Sequence, residues 1–81
     1  MSTFFVSYDV ASGNQSAVKR EFQKIGFVDS MEGMALPESV LALETTFSQE
    51  DVVDEVKEVL TGYDPSAWIV IEGRLWNWAS Y

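Results

Sequence analysis

Phe4, Val6, Tyr8 and Val10 alternate with Phe5, Ser7 and Asp9 at the start of the chain, and a period of two over that length predicts a β-strand with one face buried, if not both. The period changes after Ser12-Gly13-Asn14, which is turn and capping chemistry. From Gln15 the apolar positions Val18, Phe22 and Ile25 recur at helical spacing, and Gly26 supplies the C-terminal stop. Phe27 to Leu36 keeps no clean period, is broken by Gly33 and runs into Leu36-Pro37-Glu38-Ser39, so it predicts a weak edge strand followed by a turn. Val40 to Thr46 predicts the next strand. Ser48-Gln49-Glu50-Asp51 sets a capping residue ahead of Val52, Val53, Val56, Val59 and Leu60, a continuous stripe that stops at Gly62. Beyond the turn Tyr63-Asp64-Pro65-Ser66, Ala67 to Gly73 is a strand rich in branched and aromatic residues, and Arg74 to Tyr81 carries Trp76 and Trp78.

The predicted order is β-α-β-β-α-β. Right-handed crossovers and one hairpin fold that order most economically into a ferredoxin-like sandwich, a four-stranded antiparallel sheet with both helices on one face. The expected core joins Phe22 and Val56 of the helices to Leu43 and Ile69 of the sheet, with Ile71 also turned toward the helices. The opposite sheet face then shows Phe5, Ser7, Asp9, Val40, Ala42, Glu44, Trp68, Val70 and Glu72. A face that apolar needs a cover, either the segment with Trp76 and Trp78 or a second copy in a homodimer.

Length and composition narrow the possibilities. The chain has 81 residues, enough for a single domain over 1–81 with one modest core. It contains neither cysteine nor histidine, which removes disulfides, thiolate metal sites, thiol nucleophiles and the usual general base. Thirteen acids against five Lys and Arg give a net charge of -8. Direct nucleic-acid binding is therefore not expected, because it rests on many cationic contacts, and an anionic membrane surface repels such a chain. No apolar run is long enough to span a bilayer, and Met1-Ser2-Thr3-Phe4 lacks a signal peptide's basic start, so a cytoplasmic location is expected.

Phe5-Val6-Ser7-Tyr8-Asp9-Val10, Ser39-Val40-Leu41-Ala42-Leu43 entering Thr46-Phe47-Ser48, and Trp76-Asn77-Trp78-Ala79-Ser80 resemble the short bacterial proteins known as SinR-like. Those are similar in turn to the small ferredoxin-like subunit of the CRISPR spacer-integration complex. The resemblance implies a dimer across the sheets and a divalent metal, Mg or Mn, held for phosphodiester cleavage by the aspartate that ends the first strand, here Asp9. After Tyr8-Asp9 this chain runs Val10-Ala11-Ser12-Gly13-Asn14, where SinR-like members commonly carry an Asn-Lys-Pro-Gly turn.

Read from the residues alone, Asp9 is an acid at a strand end, placed to accept backbone hydrogens from the following turn. That structural role outweighs the metal site, since catalysis needs several groups in register and only one is matched. Glu44 and Glu72 end two strands and are solvated ends or a carboxylate pair. Ser12-Gly13-Asn14 precedes a helix and could cradle a phosphate, but a plain capping turn accounts for it. The first helix carries Lys19, Arg20 and Lys24, while the second carries Glu50, Asp51, Asp54, Glu55 and Glu58 against Lys57. Either the two helices neutralise one another or the second presents an acidic face to a basic protein. Trp68, Trp76 and Trp78 read as core or interface anchors. The leading expectation is a non-enzymatic acidic interaction module without a cofactor. A mobile-element inhibitor of a nucleic-acid-binding or CRISPR-type effector suits it, and the alternative is an Asp9-dependent Mg or Mn nuclease.

Overall fold

The computed structural model describes residues 1–31 and 33–73; Trp76 and Trp78 lie outside them. In chain order the elements are β1 (Ser2–Asp9), a 3-10 turn (Ser12–Asn14), α1 (Gln15–Ile25), β2 (Ser30–Met31), β3 (Met34–Ala35), β4 (Val40–Thr45), α2 (Gln49–Thr61) and β5 (Ala67–Gly73). β1 is the central strand of a three-stranded antiparallel sheet in the order β4-β1-β5, while β2 and β3 form a separate two-stranded hairpin. Among the described residues the fold is thus a small α+β arrangement of two helices and antiparallel sheets, and no helix in it is long and apolar enough to cross a membrane.

Two expectations about strands are corrected. A continuous edge strand over Phe27 to Leu36 does not form. Gly33, at φ 78, lets the chain turn back so that Met31 pairs with Met34, a conformation that glycine adopts without steric cost. Among the described residues of that segment only Val28 bridges to the sheet: its N–H donates to the Ala42 carbonyl at 2.8 Å, and the Ala42 N–H donates back at 2.9 Å.

The second correction concerns β5, whose expected phase is reversed. Its register places Trp68 opposite Tyr8 and Val70 opposite Val6, and directly opposed residues of antiparallel strands share a face. Trp68 and Val70 therefore pack on the core, while Ile69 and Ile71 stand on the far face, 54% and 52% exposed. Glu72 follows the same phase. It lies opposite Phe4, whereas Glu44 lies opposite Thr3, so the two carboxylates occupy opposite faces and form no pair.

The core gathers Phe4, Val6 and Tyr8 of β1, Leu41 and Leu43 of β4, Val18 and Phe22 of α1, and Val52, Val56 and Leu60 of α2 into one cluster. Both helices thus cover the same sheet face. Phe22 is its aromatic centre, with ring centroids 5.4 Å from Tyr8 and 5.1 Å from Phe27.

The contact with Phe27 belongs to the end of α1. The Gly26 N–H donates to the Gln23 carbonyl and the Phe27 N–H to the Phe22 carbonyl, both at 3.1 Å, the two bonds of a Schellman closure with its accompanying hydrophobic contact. Gly26 sits at φ 120, and an added Cβ would meet Leu43 Cδ1 at 3.3 Å. At its N-terminus α1 has no side-chain cap, since Asn14 makes none. α2 is secured at the other end: Ser48 Oγ accepts the Asp51 N–H at 3.2 Å, and Glu50 and Asp51 occupy the first turn, where the helix dipole favours negative charge.

Candidate functional site

α2 commits Val52, Val56 and Leu60 to the core, and this fixes what the rest of its surface presents. Glu50, Asp51, Asp54 and Glu58 are exposed and Glu55 is half-buried. Glu55 and Glu58 line a groove against Glu21, Lys24, Ile25, Val59 and Tyr63, where α2 passes α1. The expected mutual neutralisation of the helices is not seen there. Lys24 pairs with Glu21 of its own helix at 3.1 Å, and Lys19 pairs with Asp29 beyond α1 at 2.9 Å. Among the described residues no ion pair engages an α2 acid.

The arrangement also carries a cost to the helix. Positions 50 and 54, 51 and 55, and 54 and 58 are like-charged pairs four residues apart, and each such pair costs an isolated helix roughly 0.2 to 0.5 kcal/mol. What α2 can do chemically is attract and orient a cationic surface.

Asp9 is exposed at the end of β1. Its main-chain carbonyl, rather than its carboxylate, makes the structural bonds: it accepts the Ser66 N–H at 2.9 Å and the Ser66 hydroxyl at 3.4 Å. The segment entering β5 is thereby tied to the end of β1, in place of the expected bond to the following turn. Among the described residues no three Asp or Glu side chains come together in a way that could hold a metal ion. Within one copy of the chain, Asp9 is therefore the single carboxylate that answers to the Mg or Mn site the resemblance implies, with the remaining positions left to water or a second copy.

Trp68 is half-buried against the core, so the structure moves it from the open sheet face to the helix side. Ser12-Gly13-Asn14 forms the 3-10 turn that feeds α1, with the Asn14 N–H donating to the Ala11 carbonyl at 2.8 Å. It is a turn, as expected, but no side chain in it caps α1.

A cleft of ≈ 380 Å³ between α1 and the 35–40 loop was not legible from motifs. Tyr8, Gln15 and Ser16 face Glu38 and Ser39 across it, with the Lys19 and Asp29 pair also in its lining. Tyr8 is 6% exposed and makes no side-chain hydrogen bond among the described residues. Burial pushes its hydroxyl above the ordinary value near 10.0, with the Lys19 ammonium opposing. The hydrogen bond and charge of the ion pair raise Lys19 and lower Asp29. A tyrosine in the buried phase of a strand, whose polar tip must meet water or a partner, is the one sequence signal that could have located this cleft. Its charged groups, one cation against two carboxylates, share the negative sign of the whole chain.

No family model, curated protein or solved structure matches the chain. The functional reading therefore rests on the residues and their placement.

Proposed function

We propose that the chain is a non-enzymatic interaction module whose acidic α2 face engages a basic protein. The observation that carries this reading is the row of α2 carboxylates with no ion pair among the described residues, kept at a cost in like-charge repulsion on a helix whose apolar stripe is already committed to the core. A negative stripe of this kind steers a basic partner and fixes its orientation. Nucleic-acid-binding proteins hold phosphates with basic surfaces, so occupying such a surface makes the module an inhibitor of a nucleic-acid-binding or CRISPR-type effector, a role that suits a mobile-element gene acting in the cytoplasm.

The plan we assign to the domain is ferredoxin-like. The strand order β4-β1-β5 with both helices on one face supports it, and the Val28 bridge on the outer side of β4 stands in the place of a fourth strand. The likeness to SinR-like proteins agrees with that plan, while for the metal-dependent nuclease it also implies, no group of three acids gathers at Asp9 among the described residues. The test of the non-enzymatic reading is incubation of the purified chain with RNA and DNA in Mg²⁺ or Mn²⁺ beside Asp9→Ala. Identical, uncleaved substrates are expected from both; a product made by the parent and abolished in Asp9→Ala overturns the reading.

A further inference from the structure

Among the described residues β5 pairs with β1 along one edge and with nothing along the other. An open row of strand N–H and C=O groups is a template for another strand, and proteins usually blunt it with lysine, proline or a bulge. Ala67-Trp68-Ile69-Val70-Ile71-Glu72-Gly73 contains neither residue, and its unbroken register against β1 contains no bulge. Two of the exposed large hydrophobics, Ile69 and Ile71, stand two residues apart on the same strand, while Met1, Val28, Met34 and Phe47 are scattered elsewhere. Phe5 and Val40 on the open face are half-buried and Ala42 is buried, whereas Ile69 and Ile71 are among the exposed large hydrophobics.

We infer that this edge pairs antiparallel with β5 of a second copy of the chain, about a two-fold axis at Val70. The strand is apolar on both sides of that residue, so Ile69 falls opposite the partner's Ile71 and Trp68 opposite the partner's Glu72. That register also uses the full strand, and its one charge meets an indole; an axis at position 72 sets carboxylate against carboxylate. The result is a continuous six-stranded sheet with all helices on one face and four isoleucines in a contiguous patch on the other.

Seven paired residues run only about 24 Å, which places the contact at the small end of specific interfaces, below about 1,200 Å². The dimer is therefore weak and reversible, and the net charge of -8 on each copy opposes it. Salt screens that repulsion, so self-association strengthens as salt is added, while binding of a basic partner by α2 weakens. The opposite signs separate a failure of this inference from a failure of the proposed function. The pairing also keeps the two Asp9 side chains apart, because Asp9 neighbours Ala67, which lies opposite the partner's Gly73 at one end of the joined strands.

The full chain has no cysteine, so introduced thiols report the register. Val70→Cys brings two identical positions face to face within disulfide reach and should give a covalent dimer on mild oxidation. Ile69→Cys alone should not, since the two copies then sit about 8 Å apart, but mixed with Ile71→Cys it should cross-link. The mixed pair uses exposed positions and keeps the test valid if Val70→Cys disturbs packing. Sedimentation of the parent at high micromolar concentration should show a dimer fraction that grows with salt, and Ile71→Lys should weaken it roughly tenfold or more. A monomer at every concentration and salt overturns the inference and points to residues 74–81 as the occupant of the edge. Cross-linking through Phe5→Cys but neither at Val70 nor in the mixed pair overturns it in favour of stacked sheet faces.

Discussion

α1 and α2 lay similar apolar stripes on the same sheet face, yet they are held at opposite ends and use their charges differently. α1 is closed at its C-terminus, where Gly26 and Phe27 take up the last carbonyls and Phe27 stacks on Phe22. Two of its cations are engaged in ion pairs with Glu21 and Asp29. α2 is secured at its N-terminus by Ser48, and its Gly62 has an ordinary φ of -77. Its acids find no ion-pair partner among the described residues. The difference separates two amphipathic helices: in α1 two cations of the polar face pair with acids of the fold, while among the described residues the acids of α2 pair with none.

The largest effect that can break this comparison is at Phe22, which is fully buried. Phe22→Ala should cost about 3 to 5 kcal/mol, against a total of roughly 4 to 12 kcal/mol for a chain of this length. Urea unfolding should find the variant barely folded, and an unchanged midpoint would mean that α1 does not centre the core. Next comes the closure of α1. Gly26→Ala combines a backbone at φ 120 with the Leu43 Cδ1 contact at 3.3 Å and should cost about 1 to 3 kcal/mol. A thermal midpoint equal to the parent's would remove the Schellman closure from the account.

At α2 the corresponding substitution is Ser48→Ala, expected to cost about 0.5 to 2 kcal/mol, with Ser48→Asp retaining most of the stability. If Ser48→Ala proves neutral in the same unfolding assay, the N-terminal anchoring of α2 is wrong and the contrast between the helices narrows.

Much of this was legible from pattern. The alternation of Phe4, Val6 and Tyr8, the spacing of Val18 and Phe22, and the stripe Val52, Val56 and Leu60 each admit one phase, and each is buried as that phase requires. β5 failed for a specific reason. In Trp68-Ile69-Val70-Ile71 both phases are apolar, so a period of two cannot choose between them, and only pairing with Val6 and Tyr8 does. That ambiguity put Ile69 in the predicted core and Trp68 on the predicted open face, and the register with β1 exchanges them. Phe27 to Leu36 failed because a glycine in an irregular segment reads equally as an interruption of one strand or as the turn between two short ones, and Gly33 is the latter. The acidic character of α2 was legible. Its lack of neutralisation by α1 was not, because the partners of Lys19 and Lys24 depend on where Asp29 and Glu21 sit.

The central claim is that the α2 acids act on a partner rather than on the fold, and charge reversal tests it most directly. Asp54→Lys, Glu55→Lys and Glu58→Lys combined should leave the unfolding free energy within about 0.5 kcal/mol per site of the parent's, since none of the three is in the buried stripe. With a basic protein captured by the parent chain, the association rate measured across a range of ionic strength should fall several-fold on reversal and lose most of its salt dependence, because such charges act mainly on the on-rate. An association rate and salt dependence that survive the three reversals would contradict the account and leave the α2 acids without a role in binding.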